Sequence, residues 1–145
     1  MRILFGQYEF SKSSKNIYGY LCINHDEKYF PDHEWTDFLY PVFVWWADSF
    51  ITAYKNNSEI KMPFMDGEFC MQGIIDGTNM IISCYNSYVC EGHVFDSFCC
   101  KVVEFRNELI YAIKECKNIF EGEGEISLAN ECATKINLLS KMILI

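Results

Sequence analysis

Three histidines and eight cysteines are the side chains of this chain best suited to bond-making chemistry or metal binding. His25-Asp26-Glu27 matches the H-x-E half of the zinc-deaminase signature, in which the histidine holds the metal and the glutamate moves the proton. The other half, P-C-x-x-C, does not occur, so a zinc ion there would lack its thiolate ligands. Cys90 and His93 form the one local thiol–imidazole pair. A nucleophilic thiol needs an exposed, electropositive setting, and a chain of net charge −8 supplies few. Cys90, His93 and Cys99 or Cys100 have zinc-type donor atoms, but in no diagnostic spacing. No H-E-x-x-H, G-x-S-x-G or phosphate-cradling glycine loop occurs. The expectation is therefore a protein without catalytic residues, cofactor or metal. A small cytosolic enzyme built on Cys90 and His93 is the alternative.

Carboxylates are the more informative group. Asp26, Glu27, Asp32, Glu34 and Asp37 fall within twelve residues, opposed by Lys28 and the histidines. Glu121, Glu123 and Glu125 make a second cluster, and Asp66 and Glu68 flank Gly67. Such loops are often merely solvated, with Asp37 capping a helix and Asp66 shaping a turn. An acidic, partly aromatic rim is also what a basic protein docks on, because complementary charge speeds encounter and fixes register. The same charge argues against nucleic acid, whose phosphates require clustered Lys and Arg.

The elements that would carry these residues are readable from periodicity. Residues 2–10 and 17–24 are β-rich around the polar turn SKSSKN and form an N-terminal hairpin. A polar loop, HDEKYFPDHE, follows. From Thr36 to Tyr54 the apolar residues recur at helical spacing and spread well past one face. Thr36 and Asp37 are its candidate N-caps, and Pro41 falls in the first turn, where a missing N–H costs little. Nineteen residues is near a membrane span, but Asp37 and Asp48 lie inside it, so a soluble central helix is expected. Trp45 and Trp46 are expected in the core, with a Trp-lined ligand pocket as the alternative. The runs EFCMQGIID and NMIISCYN flank Asp76-Gly77 as a hairpin, and YVCEGHVFDSFCC adds a further strand. Val102 to Phe120 and Ile126 to Leu144 read as two amphipathic helices separated by EGEGE. The fold class is α+β: an antiparallel sheet, a long aromatic-rich helix after an N-terminal hairpin, and two C-terminal helices, in one domain over 1–145. The segment MRILFGQYEF does not read as a signal peptide, and no C-x-x-C occurs. A cytoplasmic location with all eight cysteines reduced is therefore expected.

FPDHEWTDFLYPVFVWWADSF, followed by FMDGEF, resembles a family of small bacterial proteins with a W-x-D-F, an apolar run, a double Trp and an F-M-D-G turn. These include immunity proteins of polymorphic toxin systems such as contact-dependent growth inhibition. The likeness covers roughly residues 30–69 and rests on Trp35, Asp37, Phe38, Trp45, Trp46, Phe64, Asp66 and Gly67. The chain departs from the pattern in its wealth of cysteine and aromatics. The resemblance implies a cytosolic protein that binds and neutralises a cognate toxin domain, basic and nuclease-type, with no cofactor. It implies that the anchors hold the fold while acidic loops touch the toxin. Asp26, Glu27, Asp32, Glu34, Glu121 and Glu123 are the toxin-binding candidates.

Overall fold

The computed structural model describes residues 1–144. Strands β1 (Arg2–Ser11), β2 (Asn16–His25), β3 (Lys28–Phe30) and β4 (Thr36–Phe38) form one antiparallel sheet. In it β2 pairs with β1 along one edge, and with both β3 and β4 along the other. Helix α1 (Leu39–Asn56) leads to a second antiparallel sheet in meander order: β5 (Ile60–Pro63), β6 (Cys70–Asp76), β7 (Asn79–Tyr85) and β8 (Val94–Lys101). Helices α2 (Val102–Gly122) and α3 (Ile126–Ser140) close the chain. This is the α+β order that the periodicity predicts.

Helix α1 sits at the centre, in contact with β2, β4, β5, α2 and α3. Its breadth of apolar residues follows from that position. Val42, Phe43, Trp46, Ala47 and Phe50 are fully buried, and each large side chain removed from water contributes roughly 1.5–3 kcal/mol. The second sheet buries alternate residues, including Met71, Met80, Ile82 and Phe98, and leaves Ile74, Ile81 and Cys99 on its open face, as a period of two requires. No helix among the described residues is long and apolar enough to cross a membrane.

Several expectations need correction. Thr36 and Asp37 do not cap α1; both lie in β4, and Phe38 occupies the N-cap with no side-chain cap bond. Pairing of β4 with Tyr18–Tyr20 wins because it satisfies backbone groups that a longer helix would leave exposed on β2. The tryptophans separate: Trp46 is core and donates Nε1–H to the Pro63 carbonyl at 2.8 Å, whereas Trp45 is 41% exposed. The loop 25–34 contains β3, a strand too short to show a period. The β6–β7 turn is centred one residue later than the sequence suggests, since Asp76 pairs with Asn79 and Gly77 takes φ +61°.

The cysteines are not all reduced. Cys70 and Cys90 form a disulfide with their Cα atoms 5.3 Å apart, while Cys22, Cys84, Cys99, Cys100, Cys116 and Cys132 are free. The pairing arises because the β7–β8 loop folds back over the start of β6. A separation of 20 residues gives no sign of this in the sequence.

Candidate protein-interaction site

The resemblance anchors other than the exposed Trp45 assemble into one polar and aromatic knot. Asp37 is fully buried, and its carboxylate accepts four N–H groups: Phe38 at 2.7 Å, Trp35 Nε1 at 3.1 Å, Met65 at 3.1 Å and Asp66 at 3.2 Å. Burial pushes its carboxyl above the ordinary range, and the four donors draw it back only in part. Asp66 also accepts from the Tyr18 hydroxyl at 3.0 Å, which ties its turn to β2. Gly67, at φ +134°, presses on the Trp35 ring so closely that a Cβ there would lie 2.4 Å from Cη2. Phe64 packs edge-on against Trp46 and Phe30. These residues serve the fold.

The candidate toxin-binding residues are different: Asp26, Glu27, Asp32, Glu34, Glu121 and Glu123 are all exposed. Asp26 and Glu27 are the two-residue turn between β2 and β3, at φ 45° and 63°. Left-handed pairs of this kind match the strand twist of a tight hairpin. Asp tolerates the conformation; holding Glu27 in it costs about 1 kcal/mol. Asp32 turns the following loop by accepting the Glu34 N–H at 2.7 Å, and β4 then ties that loop to β2. Glu27, Asp32 and Glu123 form no ion pair among the described residues.

Glu121 and Glu123 do not join this surface. They lie at the α2–α3 turn, where Lys15 of the β1–β2 turn pairs with Glu125 at 3.2 Å. Asp26 and Glu27 stand at the other end of β2, roughly 30 Å away at about 3.3 Å per residue. Glu121 is paired with Lys117 one helical turn back.

The sequence reading missed a cluster beneath the hairpin tip. His25, 8% exposed, stacks on Phe98 at 3.9 Å and pairs Nε2 with Asp96 Oδ2 at 2.8 Å. Its Nδ1 is buried without a hydrogen-bond partner and faces Asp26 Oδ2 at 3.9 Å. Lys28 Nζ stands 3.7 Å from Asp96 Oδ1. Burial alone would raise the Asp96 carboxyl, but bonds from His25 and the Ser97 N–H, with the charges of His25 and Lys28, hold it below the usual range. Beside this cluster Lys28, Tyr29, Phe95 and Asp96 line a groove of about 370 Å³. The signal available in the sequence was His25 at a strand end; its partner lies 71 positions on.

The nucleophile and metal candidates are not assembled. With Cys90 in a disulfide, the Cys90–His93 pair has no thiol. Burial raises Cys22, and pushes Cys84, Cys100 and Cys132 up to about 12 and Cys116 further. No cluster of three or more metal-type side chains occurs among the described residues. Trp45 and Trp46 point to opposite environments and do not wall a common pocket.

Compared with family models, characterised proteins and solved structures, the chain matches none.

Proposed function

We propose that this chain is an immunity-type binding protein that neutralises a basic, nuclease-type bacterial toxin domain by docking the acidic β2–β3 end of its first sheet on it. The observation that carries this reading is the run of exposed carboxylates on the β2–β3 turn and the loop after β3, with Glu27 and Asp32 in no ion pair among the described residues, near a groove with aromatic walls. A toxin that grips phosphate has a basic cleft, and an acidic inhibitor offers it the charge of its substrate. Rigid presentation lowers the entropy lost on docking. Asp37, Trp35 and Gly67 pin the end of the loop that carries Asp32 and Glu34, in keeping with anchors that hold the fold while loops meet the partner.

The test is association kinetics with the toxin domain encoded beside this protein's own gene, measured at low and high salt. Replacing Glu27, Asp32 and Glu34 by Lys should slow association strongly at low salt and less at high salt, with the fold retained because exposed charges contribute little to it. Association at the wild-type rate under both conditions sinks the proposal.

A further inference from the structure

We infer that the groove between Tyr29 and Phe95 is an arginine socket, the point at which one guanidinium of a basic partner protein enters the acidic hairpin tip. The inference rests on the docking reading above and names the side chain that the surface recognises. Tyr29 on β3 and Phe95 on β8 are 43% and 58% exposed, so both rings present open faces to solvent. They wall the groove, and Asp96 lines it. Aromatic walls attract a cation to their faces, and a carboxylate at the base accepts its N–H groups. A guanidinium suits both at once, since it is planar, stacks, and donates along two edges, whereas an ammonium is a compact and strongly hydrated point charge.

Two further features point the same way. His25 holds Asp96 Oδ2 in place. Nδ1 of the same ring is buried and has no hydrogen-bond partner. It faces the Asp26 carboxylate at 3.9 Å, so the ring stands between two carboxylates, Asp26 and Asp96. An occupant with several N–H groups and a positive charge suits these carboxylates. Lys28 occupies the position of an internal competitor: its side chain is 66% exposed and reaches Asp96 Oδ1 at 3.7 Å. A single-point pair of that exposure is weak, and an incoming guanidinium can displace it.

The probe is a capped Gly-Arg-Gly tripeptide, titrated into the full-length protein and followed by NMR on the Tyr29 and Phe95 rings. Capped Gly-Lys-Gly and Gly-citrulline-Gly serve as controls. The arginine peptide should shift both rings saturably and bind more tightly than the lysine peptide; citrulline should not bind. Phe95→Ala, at an exposed position that leaves the fold intact, should weaken the arginine peptide about tenfold. Lys28→Gln should strengthen it severalfold by removing the competitor. Absent ring shifts, equal response to citrulline, or a Phe95→Ala variant that binds as the wild type does would each overturn the socket. None of these measurements involves the toxin. A socket that fails here while the Lys-reversed protein still loses toxin association leaves the docking reading standing, and the converse result leaves the socket standing without it.

Discussion

His25 Nε2 and Asp96 Oδ2, 2.8 Å apart, join the end of β2 in the first sheet to β8 in the second. The bond fixes the hairpin tip relative to the groove, so its strength should govern how well the acidic surface is presented. Because the folded-state carboxyl of Asp96 is held below its unfolded value, its contribution is complete above about pH 4 and disappears as pH falls through the folded value. Asp96→Asn should cost about 1–2 kcal/mol at neutral pH. Urea unfolding of both proteins from pH 7 down to pH 2 should show the two stabilities converging in acid. A gap that stays constant across that range would mean that Asp96 does not stabilise through its charge.

Asp37 makes a second, sharper test. It satisfies four N–H groups from two segments of chain, 35–38 and 65–66. Asp37→Ala should destabilise by about 2–4 kcal/mol, since each abandoned buried donor costs about 1–3 kcal/mol and water reaches some of them. The pH sense is opposite to that of Asp96. A folded pKa raised above the unfolded one means that ionised Asp37 weighs against stability, so its penalty eases as pH falls from the folded value toward about pH 4. Thermal unfolding of the wild type and Asp37→Ala between pH 7 and pH 4 reads both effects.

Asp37 also marks where reading the sequence succeeds and where it stops. Its importance was visible from W-x-D-F, but its role was not, because a short acid before an apolar run looks like a helix cap whether or not a strand intervenes. The long helix, both hairpins and the two C-terminal helices were readable because their apolar residues repeat at a period that folding preserves. The strands β3 and β4, three residues each, are too short to display one. The acidic candidates are all exposed, Glu121 in the last turn of α2 and the others on turns and loops. That they fall at two ends of the molecule was not readable, because it depends on β2 running its full length between them. The His25–Asp96 pair and the Cys70–Cys90 bond join residues far apart in sequence, and nothing local announces either.

The disulfide leads to a prediction about thiols. Under non-reducing conditions the native protein should alkylate quickly at Cys99, the exposed free thiol, while the five buried free thiols react only after unfolding. Unfolded without reductant, six thiols should be modified; after reduction, eight. Cys70→Ala/Cys90→Ala should lose about 3 kcal/mol in denaturant unfolding, the loop-closure contribution of a bridge across a segment of this length. Adding reductant to the wild type should reproduce that loss. Eight modified thiols without reductant would show that the bond does not form in solution.

The separation of the two acidic ends predicts unequal effects of charge reversal. A typical stable interface buries about 800 Å² on each partner, a patch roughly 30 Å across, so an interface centred on the β2–β3 turn ends well short of the α2–α3 turn roughly 30 Å away. Charge at that distance is also screened, because the Debye length is about 8 Å at physiological salt. Glu121 and Glu123 reversed to Lys should therefore leave association with the toxin domain within about twofold of wild type. Glu27, Asp32 and Glu34 reversed to Lys should slow it by about tenfold or more at low salt, since steering acts through the charges nearest the contact. Stopped-flow association at two salt concentrations separates the cases, with circular dichroism showing that both variants remain folded. If the Glu121/Glu123 variant is the slow one, the docking surface lies on the helical end of the molecule, and the hairpin tip is only a solvated turn.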